Sequence, residues 1–124
     1  MDRVLVVDDD PAVCELIEDI LSEVRMSAVC VRSDHDAYRI IPSLPTIHAL
    51  VVDINLGQGT TGFDVARFAR QVIPDLPVIY VSGEASQESL EAFGVPDSTY
   101  VPKPFGVDDF ISTLLARIGL RYTE

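Results

Sequence analysis

The sequence predicts an α/β fold in which five parallel strands form one sheet with helices on both faces. Short apolar runs without polar alternation recur along the chain, as expected for strands that are buried on both sides. Amphipathic segments separate these runs, so strand and helix alternate to the end. At 124 residues, 48% of them hydrophobic, the chain has the size and composition of one globular domain.

The first strand is predicted over Val4 to Val7, and Pro11 suits the first turn of the helix that follows. The apolar stripe of that helix consists of Val13, Leu16, Ile17, Ile20, Leu21 and Val24. A second strand covers Ser27 to Val31. Ser33 or Asp34 can cap a short second helix, which reaches about Ile41 before two prolines end it.

The rest of the chain continues the alternation. Strands are predicted over Ala49 to Val52, Val78 to Val81 and Thr99 to Val101, and helices over about Phe63 to Gln71, Ser86 to Phe93 and Val107 to Ile118. Gly94 and Gly119 stand where glycine commonly ends a helix. Strands of this kind, joined by helices, form a parallel sheet with right-handed crossovers.

Reactive side chains stand where the strands end. Asp8 and Asp9 follow the first strand, Asp53 the third, Ser82 the fourth and Lys103 the fifth. The functional crevice of a doubly wound sheet lies at these carboxyl ends. Two carboxylates about 4 Å apart repel by roughly 4 kcal/mol at an effective dielectric near 20, and a divalent cation offsets that repulsion. The combination therefore favours Mg²⁺ together with a phosphoryl group.

Composition argues against several other classes of function. A net charge of −11, from 20 acidic and 9 basic residues, would repel a nucleic acid, so no direct nucleic-acid binding is expected. No apolar run is long enough to span a membrane and no hydrophobic leader precedes the first strand, so we expect a cytoplasmic protein without a membrane partner. Cys14 and Cys30 are predicted to be small core residues rather than a disulfide or a metal pair.

Four segments carry a resemblance to a known family, namely VLVVDDD, LVVDINL, VIYVSGE and YVPKPF. In this order and at nearly this spacing, they resemble the receiver domain of response regulators in two-component signal transduction. The resemblance covers essentially the whole chain. It implies a flavodoxin-like three-layer sandwich with strand order 2-1-3-4-5, and a single receiver domain over 1–124 without an output domain.

The resemblance also implies roles for the residues at the strand ends. Asp53 would be the phosphoacceptor, taking its phosphoryl group from a phosphohistidine of a sensor histidine kinase or of a histidine phosphotransfer protein. Asp9 would bind Mg²⁺ directly beside Asp53, Asp8 would act mainly through metal-bound water, and Asn55 would contribute its backbone carbonyl. The activity would be self-phosphotransfer and autodephosphorylation only, so the chain is not expected to be an enzyme in the usual sense.

Three further residues belong to the implied response to phosphorylation. Lys103 would pair with the phosphoryl oxygens, and the family tends to hold the bond between Lys103 and Pro104 in the cis form. Ser82 would donate its hydroxyl to the phosphoryl group. Tyr100 would then turn inward behind Ser82 and change the surface of the fourth helix, fifth strand and fifth helix, which a downstream protein target reads.

The loop after Asp53 departs from the family's common pattern. Gly62 stands nine positions on from Asp53, about one more than is usual, and Gly57 stands where proline is frequent. This insertion is expected to alter the loop and to bear on the choice of kinase or partner. Asn55 and Glu84 match positions that in this family tune access of the hydrolytic water, so the resemblance implies that two polar groups there give a short-lived aspartyl phosphate.

Two alternatives remain open from the sequence. A metal-dependent hydrolase of the haloacid-dehalogenase type also forms an aspartyl phosphate, but its DxDx(T/V) motif is not completed by Asp8 with Asp10 or by Asp53 with Asn55. A degenerate receiver would act only as a binding module, which is disfavoured because every chemical position is filled.

Overall fold

A computed structural model describes residues 2–44, 46–56, 61–83 and 87–122 of the chain. The strands are β1 (Arg3–Val7), β2 (Ser27–Val31), β3 (Ala49–Asp53), β4 (Val78–Ser82) and β5 (Ser98–Pro102). The helices are α1 (Pro11–Glu23), α2 (Asp34–Ile40), α3 (Thr61–Val72), α4 (Gln87–Phe93) and α5 (Val107–Tyr122), with a 3-10 turn over Ile41–Ser43. These bounds match the predicted elements to within two residues, except at the end of α5.

The five strands form one parallel sheet in the order β2-β1-β3-β4-β5, which confirms the implied topology. All residues of β3 and β4 are buried, as are the last four of β1, because helices cover both faces of these central strands. The edge strand β2 is half-buried throughout, and β5 is half-buried over most of its length. The most apolar runs of the sequence are therefore the central strands.

Two hydrophobic cores lie on opposite faces of the sheet, because successive side chains of a strand point to opposite sides. On one face, Val4 and Val6 of β1 pack with buried residues of α1 and α5. On the other face, Leu5 and Val7 pack with buried residues of α2 and α3, and Leu90 of α4 packs against the same cluster. The result is a three-layer sandwich with the sheet in the middle.

The apolar face of α1 differs from the predicted stripe. Leu16 is 45% exposed, and the buried residues are Cys14, Ile17, Ile20 and Leu21. Relative to the prediction, α1 is turned about its own axis, so that the small Cys14 side chain rather than Leu16 faces the sheet. Asp10 caps the helix, since its carboxylate accepts a hydrogen bond from the backbone N–H of Ala12 at 2.9 Å.

The prediction that Gly119 closes the last helix was wrong, because α5 continues to Tyr122. Glycine inside a helix costs about 1 kcal/mol relative to alanine and does not forbid the helix. Ile118, which precedes it, is buried in the core and holds this turn of α5 in place. Neither α5 nor any other helix in the described ranges is long and apolar enough to cross a membrane.

The interpretation of the two cysteines as independent core residues was also wrong. Cys14 of α1 and Cys30 of β2 are joined in a disulfide, with their Cα atoms 6.0 Å apart. The bond forms because α1 packs over the edge strand and presents Cys14 to the side chain of Cys30. The separation of 16 residues in the sequence contains no sign of this contact.

Candidate functional site

The pairing of β1 with β3 brings two of the predicted acids together. Val7 of β1 lies opposite Val52 of β3, so Asp8 and Asp53 follow side by side at the carboxyl ends of adjacent strands. Carboxylate oxygens of Asp8, Asp9 and Asp53 lie within 4.8 Å of one another. We refer to these three residues as the acidic cluster.

Lys103 supplies a positive charge to this cluster from the end of β5. Its Nζ donates hydrogen bonds to Oδ2 of Asp8 at 2.9 Å and to Oδ2 of Asp53 at 3.0 Å. Its backbone N–H donates to the carbonyl oxygen of Ser82 at 3.0 Å, which ties the start of the loop to β4. The bond between Lys103 and Pro104 is cis, as the family resemblance implied.

Burial and charge pull the ionisation of the site in different directions. Asp8 is fully buried, Asp53 is 6% exposed and Asp9 is exposed. Burial raises the pKa of the Asp8 carboxyl, and the hydrogen bond from Lys103 offsets only part of that effect. Burial also disfavours the Lys103 ammonium, but the contacts with Asp8 and Asp53 outweigh it and raise the pKa of Lys103. Lys103 is therefore positively charged at neutral pH.

The remaining carboxylate oxygens are held by the backbone of the loops that follow the strands. Oδ1 of Asp8 accepts from the N–H of Asp10 at 2.9 Å, and Oδ1 of Asp53 accepts from the N–H of Asn55 at 3.0 Å. These short loops orient both acids toward the crevice. In Asp8 and Asp53 alike, one carboxylate oxygen therefore accepts from the backbone N–H two residues further on, and the other accepts from Nζ of Lys103.

The side chain of Asn55 makes a contact that the sequence analysis did not foresee. Its Nδ2 donates to Oγ of Ser82 at 3.1 Å, across the boundary between β3 and β4. The roles expected of Asn55, a backbone-carbonyl ligand and a residue that tunes the hydrolytic water, do not include this hydrogen bond. A polar side chain two residues beyond Asp53 was the one available signal, and only the adjacency of β3 and β4 turns it into a contact.

Tyr100 connects this site with the surface between α4 and β5. Its hydroxyl donates to the backbone carbonyl of Ser82 at 2.8 Å, while its half-buried ring packs against the core. The ring also lines a groove together with Leu90 of α4 and Val95. Tyr100 is therefore hydrogen-bonded to Ser82 in this structure, and its inward turn on phosphorylation stays a prediction.

Gly62 is required where α3 begins beside the end of β3. Its N–H donates to the carbonyl oxygen of Ile54 at 3.0 Å. A Cβ atom at this position would overlap the carbonyl oxygen of Asp53 and would lie 2.7 Å from Cα of Ile54. The close approach of two backbones explains the glycine. The inserted loop with Gly57, and likewise Glu84, lie outside the described residues.

The donor set of the acidic cluster fits Mg²⁺. Its members offer only carboxylate oxygens, which are the hard ligands that this ion prefers. Three carboxylates against the one ammonium of Lys103 leave two negative charges in excess, which equals the charge of one divalent cation. A cation therefore lowers the cost of keeping the buried Asp8 ionised.

Comparison with known proteins agrees with the fold. Residues 4–115 match the family model described as the response regulator receiver domain. The chain is 31% identical over 123 residues to the regulatory protein VirG of Rhizobium rhizogenes. The aligned residues cover 98% of this chain and 49% of that protein. It is 29% identical over 117 residues to the response regulator MprA of Mycobacterium avium, covering 92% of this chain and 50% of that protein.

A solved structure of a response regulator receiver protein from Sinorhizobium medicae superposes with a TM-score of 0.90 at 31% identity, covering 97% of this chain and 96% of that one. The chain belongs to the response regulator receiver domain family of two-component signalling. It spans about half the length of the curated relatives that it matches.

Response regulators interact with sensor kinases and downstream targets, and their receiver domains are generally not classical enzymes. The family generally binds Mg²⁺ at an acidic pocket.

Proposed function

We propose that Asp53 accepts a phosphoryl group from a phosphohistidine of a sensor histidine kinase or a histidine phosphotransfer protein. One observation carries this proposal: the nearly buried Asp53 carboxylate lies beside Asp8 and is hydrogen-bonded to Nζ of Lys103. Carboxylates act as nucleophiles toward phosphorus in proteins, and an adjacent ammonium is suited to stabilise the charge of the incoming group.

The proposed transfer exchanges one bond to phosphorus for another. A carboxylate oxygen of Asp53 bonds to phosphorus while the bond between phosphorus and the donor's imidazole nitrogen breaks. The imidazole leaves with the bonding electron pair, and the product on this chain is an aspartyl phosphate. Lys103 pairs with the phosphoryl oxygens as a charged hydrogen-bond donor. Its backbone contact with Ser82 keeps the ammonium near the acceptor.

The acidic cluster is the proposed binding site for Mg²⁺. Asp9, which is exposed, would hold the ion directly together with Asp53 and the backbone carbonyl of Asn55, whereas the buried Asp8 would act mainly through an intervening water. When bound, Mg²⁺ neutralises negative charge on the carboxylates and on the phosphoryl oxygens. The charge excess of the cluster supports this assignment.

Ser82 and Tyr100 are proposed to pass the signal to the surface. The Ser82 hydroxyl donates to the phosphoryl group once that group is present, and Tyr100 packs behind it. The surface of α4, β5 and α5 then changes, and a downstream protein binds it. The double contact of Tyr100, with the Ser82 carbonyl and with the groove beside Leu90, supports this coupling. Phosphorylation favours the conformation in which Ser82 and Lys103 contact the phosphoryl group, because only that conformation gains these contacts.

The chemistry of the domain is limited to accepting and losing its own phosphoryl group. Asn55 and Glu84 tune the attack of water on the aspartyl phosphate, and their polarity favours a short lifetime. The net charge of −11 supports protein partners and not direct contact with nucleic acid. We assign the domain to the cytoplasm, with no membrane partner.

Intact-mass measurement after incubation with acetyl phosphate and Mg²⁺ tests the acceptor. The expected gain is one phosphoryl group per chain, absent in Asp53→Ala and after removal of the metal with EDTA. Asp19→Ala, which removes an exposed acid on α1, is the matched control and should still be phosphorylated. A gain that persists in Asp53→Ala would overturn the assignment. Release of many phosphates per chain would instead indicate the phosphatase alternative.

A further inference from the structure

We propose that Cys14 and Cys30 are a reversible dithiol–disulfide pair whose oxidation state controls how tightly the acidic cluster binds Mg²⁺. The inference rests on the proposed function for the identity of the ion. It concerns a modification site outside the phosphoryl chemistry. The two residues are the only cysteines of the chain, so a single intramolecular disulfide is possible.

The disulfide joins the two segments that hold the backbone of Asp8. Sγ of Cys14 in α1 lies 3.6 Å from the carbonyl oxygen of Asp8. The N–H of Asp8 donates at 3.1 Å to the carbonyl oxygen of Val31, the neighbour of Cys30 in β2. The N–H of Asp8 is thus hydrogen-bonded one residue from the disulfide, and its carbonyl oxygen lies in contact with a disulfide sulfur, which has no hydrogen to donate. The crosslink closes this arrangement covalently.

The two cysteine residues differ in their exposure to solvent. Cys14 of α1 is only 6% exposed, whereas Cys30 is half-buried on the edge strand β2. A thiol or disulfide reagent in solution therefore reaches Cys30 first, and Cys14 resolves the exchange from inside. Disulfides in the reducing cytosol are usually transient and redox-sensing, which suits this pair.

The oxidant in the proposed reaction is a small disulfide of the glutathione class. Sulfur of Cys30 attacks one sulfur of the oxidant, whose S–S bond breaks and releases one thiol. Sulfur of Cys14 then attacks Sγ of Cys30 in the mixed disulfide and releases the second thiol. Two electrons pass from the cysteines to the oxidant, and the two cysteine protons end on the released thiols. Reduction by two equivalents of thiol reverses both steps.

Loss of the crosslink weakens the placement of Asp8. In the reduced protein, only hydrogen bonds hold the Asp8 backbone between α1 and β2, while the excess negative charge of the cluster pushes its carboxylates apart. The oxidised protein keeps the cluster closer to the arrangement that binds the ion. We expect about fivefold tighter Mg²⁺ binding in the oxidised form, at the low end of typical couplings between sites.

Coupling of this kind is reciprocal. If oxidation strengthens Mg²⁺ binding, then Mg²⁺ must make the disulfide harder to reduce by the same factor. Saturating Mg²⁺ should therefore raise the value of [GSH]²/[GSSG] at which half of the protein is reduced by about fivefold, because two glutathione thiols are consumed for each disulfide. This second readout is independent of phosphorylation.

The test uses the whole wild-type chain in both oxidation states. Calorimetric titration measures Mg²⁺ affinity, and thiol alkylation with intact mass measures the oxidised fraction across glutathione ratios, with and without Mg²⁺. The double variant with Cys14→Ala and Cys30→Ala is the matched control. Its Mg²⁺ affinity should equal that of the reduced wild type and should not change with the ratio of reduced to oxidised glutathione. Because both readouts are obtained from the wild type, they stand even where the variant folds poorly.

The possible failures are distinguishable. A pair that stays reduced at every glutathione ratio, or equal Mg²⁺ affinity in the two forms, overturns the redox coupling and leaves Asp53 as the acceptor. Absence of Mg²⁺ binding in both forms, together with no mass gain from acetyl phosphate, overturns the proposed function as well.

Discussion

Nζ of Lys103 lies 2.9 Å from Oδ2 of Asp8, a contact between residues 95 positions apart in the chain. The contact exists because β1 and β5 both end at the same edge of the sheet, with β3 and β4 between them. One ammonium thereby forms ion pairs with two carboxylates, those of Asp8 and Asp53. The stability of the site and its affinity for a cation are linked through this shared charge.

Lys103→Met should lower the free energy of unfolding by about 2 kcal/mol in the absence of Mg²⁺, because the buried Asp8 loses its charged partner. Methionine retains most of the apolar stem. Adding Mg²⁺ should restore part of the loss, since the cation replaces the missing charge. Urea unfolding with EDTA and with Mg²⁺ measures both effects.

Arg39→Met is the matched control for the lysine variant. The ion pair of Arg39 with Asp36 is exposed, with 80% and 47% of the two side chains accessible, so its loss should cost less than about 0.5 kcal/mol. Equal losses in the two variants would contradict the special role of the buried pair.

Asp8→Asn should stabilise the metal-free domain by about 1 kcal/mol at pH 7 and weaken Mg²⁺ binding. The pKa of Asp8 is raised in the folded state above its ordinary value of 3.8. Such a group favours folding below its unfolded pKa, and that contribution is lost as the pH rises through the folded value. The advantage of the asparagine variant should therefore shrink as the pH falls. Thermal unfolding across pH measures it.

Asp9→Asn provides the comparison for Asp8. Asp9 is exposed, so its substitution should change stability by less than about 0.5 kcal/mol while still weakening Mg²⁺ binding. A lower stability of Asp8→Asn than of the wild type at pH 7 would show that the contact with Lys103 outweighs the cost of burying the carboxylate.

Gly62→Ala should destabilise the domain by about 2 to 3 kcal/mol and slow phosphorylation, because its Cβ would press on the backbone of Asp53 and Ile54. Gly119→Ala is the control, since a Cβ there meets nothing within 4 Å inside α5. That change should stabilise the domain by about 0.5 to 1 kcal/mol. Thermal unfolding and the acetyl phosphate assay compare the two. A harmless Gly62→Ala would mean that the two backbones separate easily.

Tyr100→Phe should cost about 1 kcal/mol or less, because it removes one hydrogen bond to Ser82 and keeps the ring in the core. If Tyr100 transmits phosphorylation, the variant should still be phosphorylated but show smaller amide chemical-shift changes in α4 and β5. Tyr38→Phe, on α2 beside Phe68, should respond as the wild type does. Identical responses in both variants would remove Tyr100 from the switch.

Much of the site could be predicted because its residues stand at the ends of strands. A strand buried on both faces leaves a continuous apolar run, and the first polar residue after it marks the edge of the sheet. Asp8 and Asp53 were identified in this way, and Lys103 was identified at the end of the half-buried β5; the structure brings the charged atoms of all three together. The roles of these residues in phosphoryl transfer remain predictions.

Side-chain contacts between elements were less accessible. The hydrogen bond from Asn55 to Ser82 depends on the register of β3 with β4, and the Cys14–Cys30 disulfide depends on how α1 lies over β2. Neither relationship has a local signature. The exposure of Leu16 and the passage of α5 through Gly119 likewise depend on which helical face meets the sheet.

The sequence by itself determined the alternation of strands and helices, the apolar central strands and the residue types at the strand ends, because these follow from local periodicity and burial. Only the tertiary structure decided that Lys103 serves both Asp8 and Asp53, that Gly62 lies against the backbone of β3, and that two cysteines meet beside Asp8. Those relationships depend on the relative rotation and spacing of packed elements, and the packing free energy that sets them is shared among many residues distant in the chain.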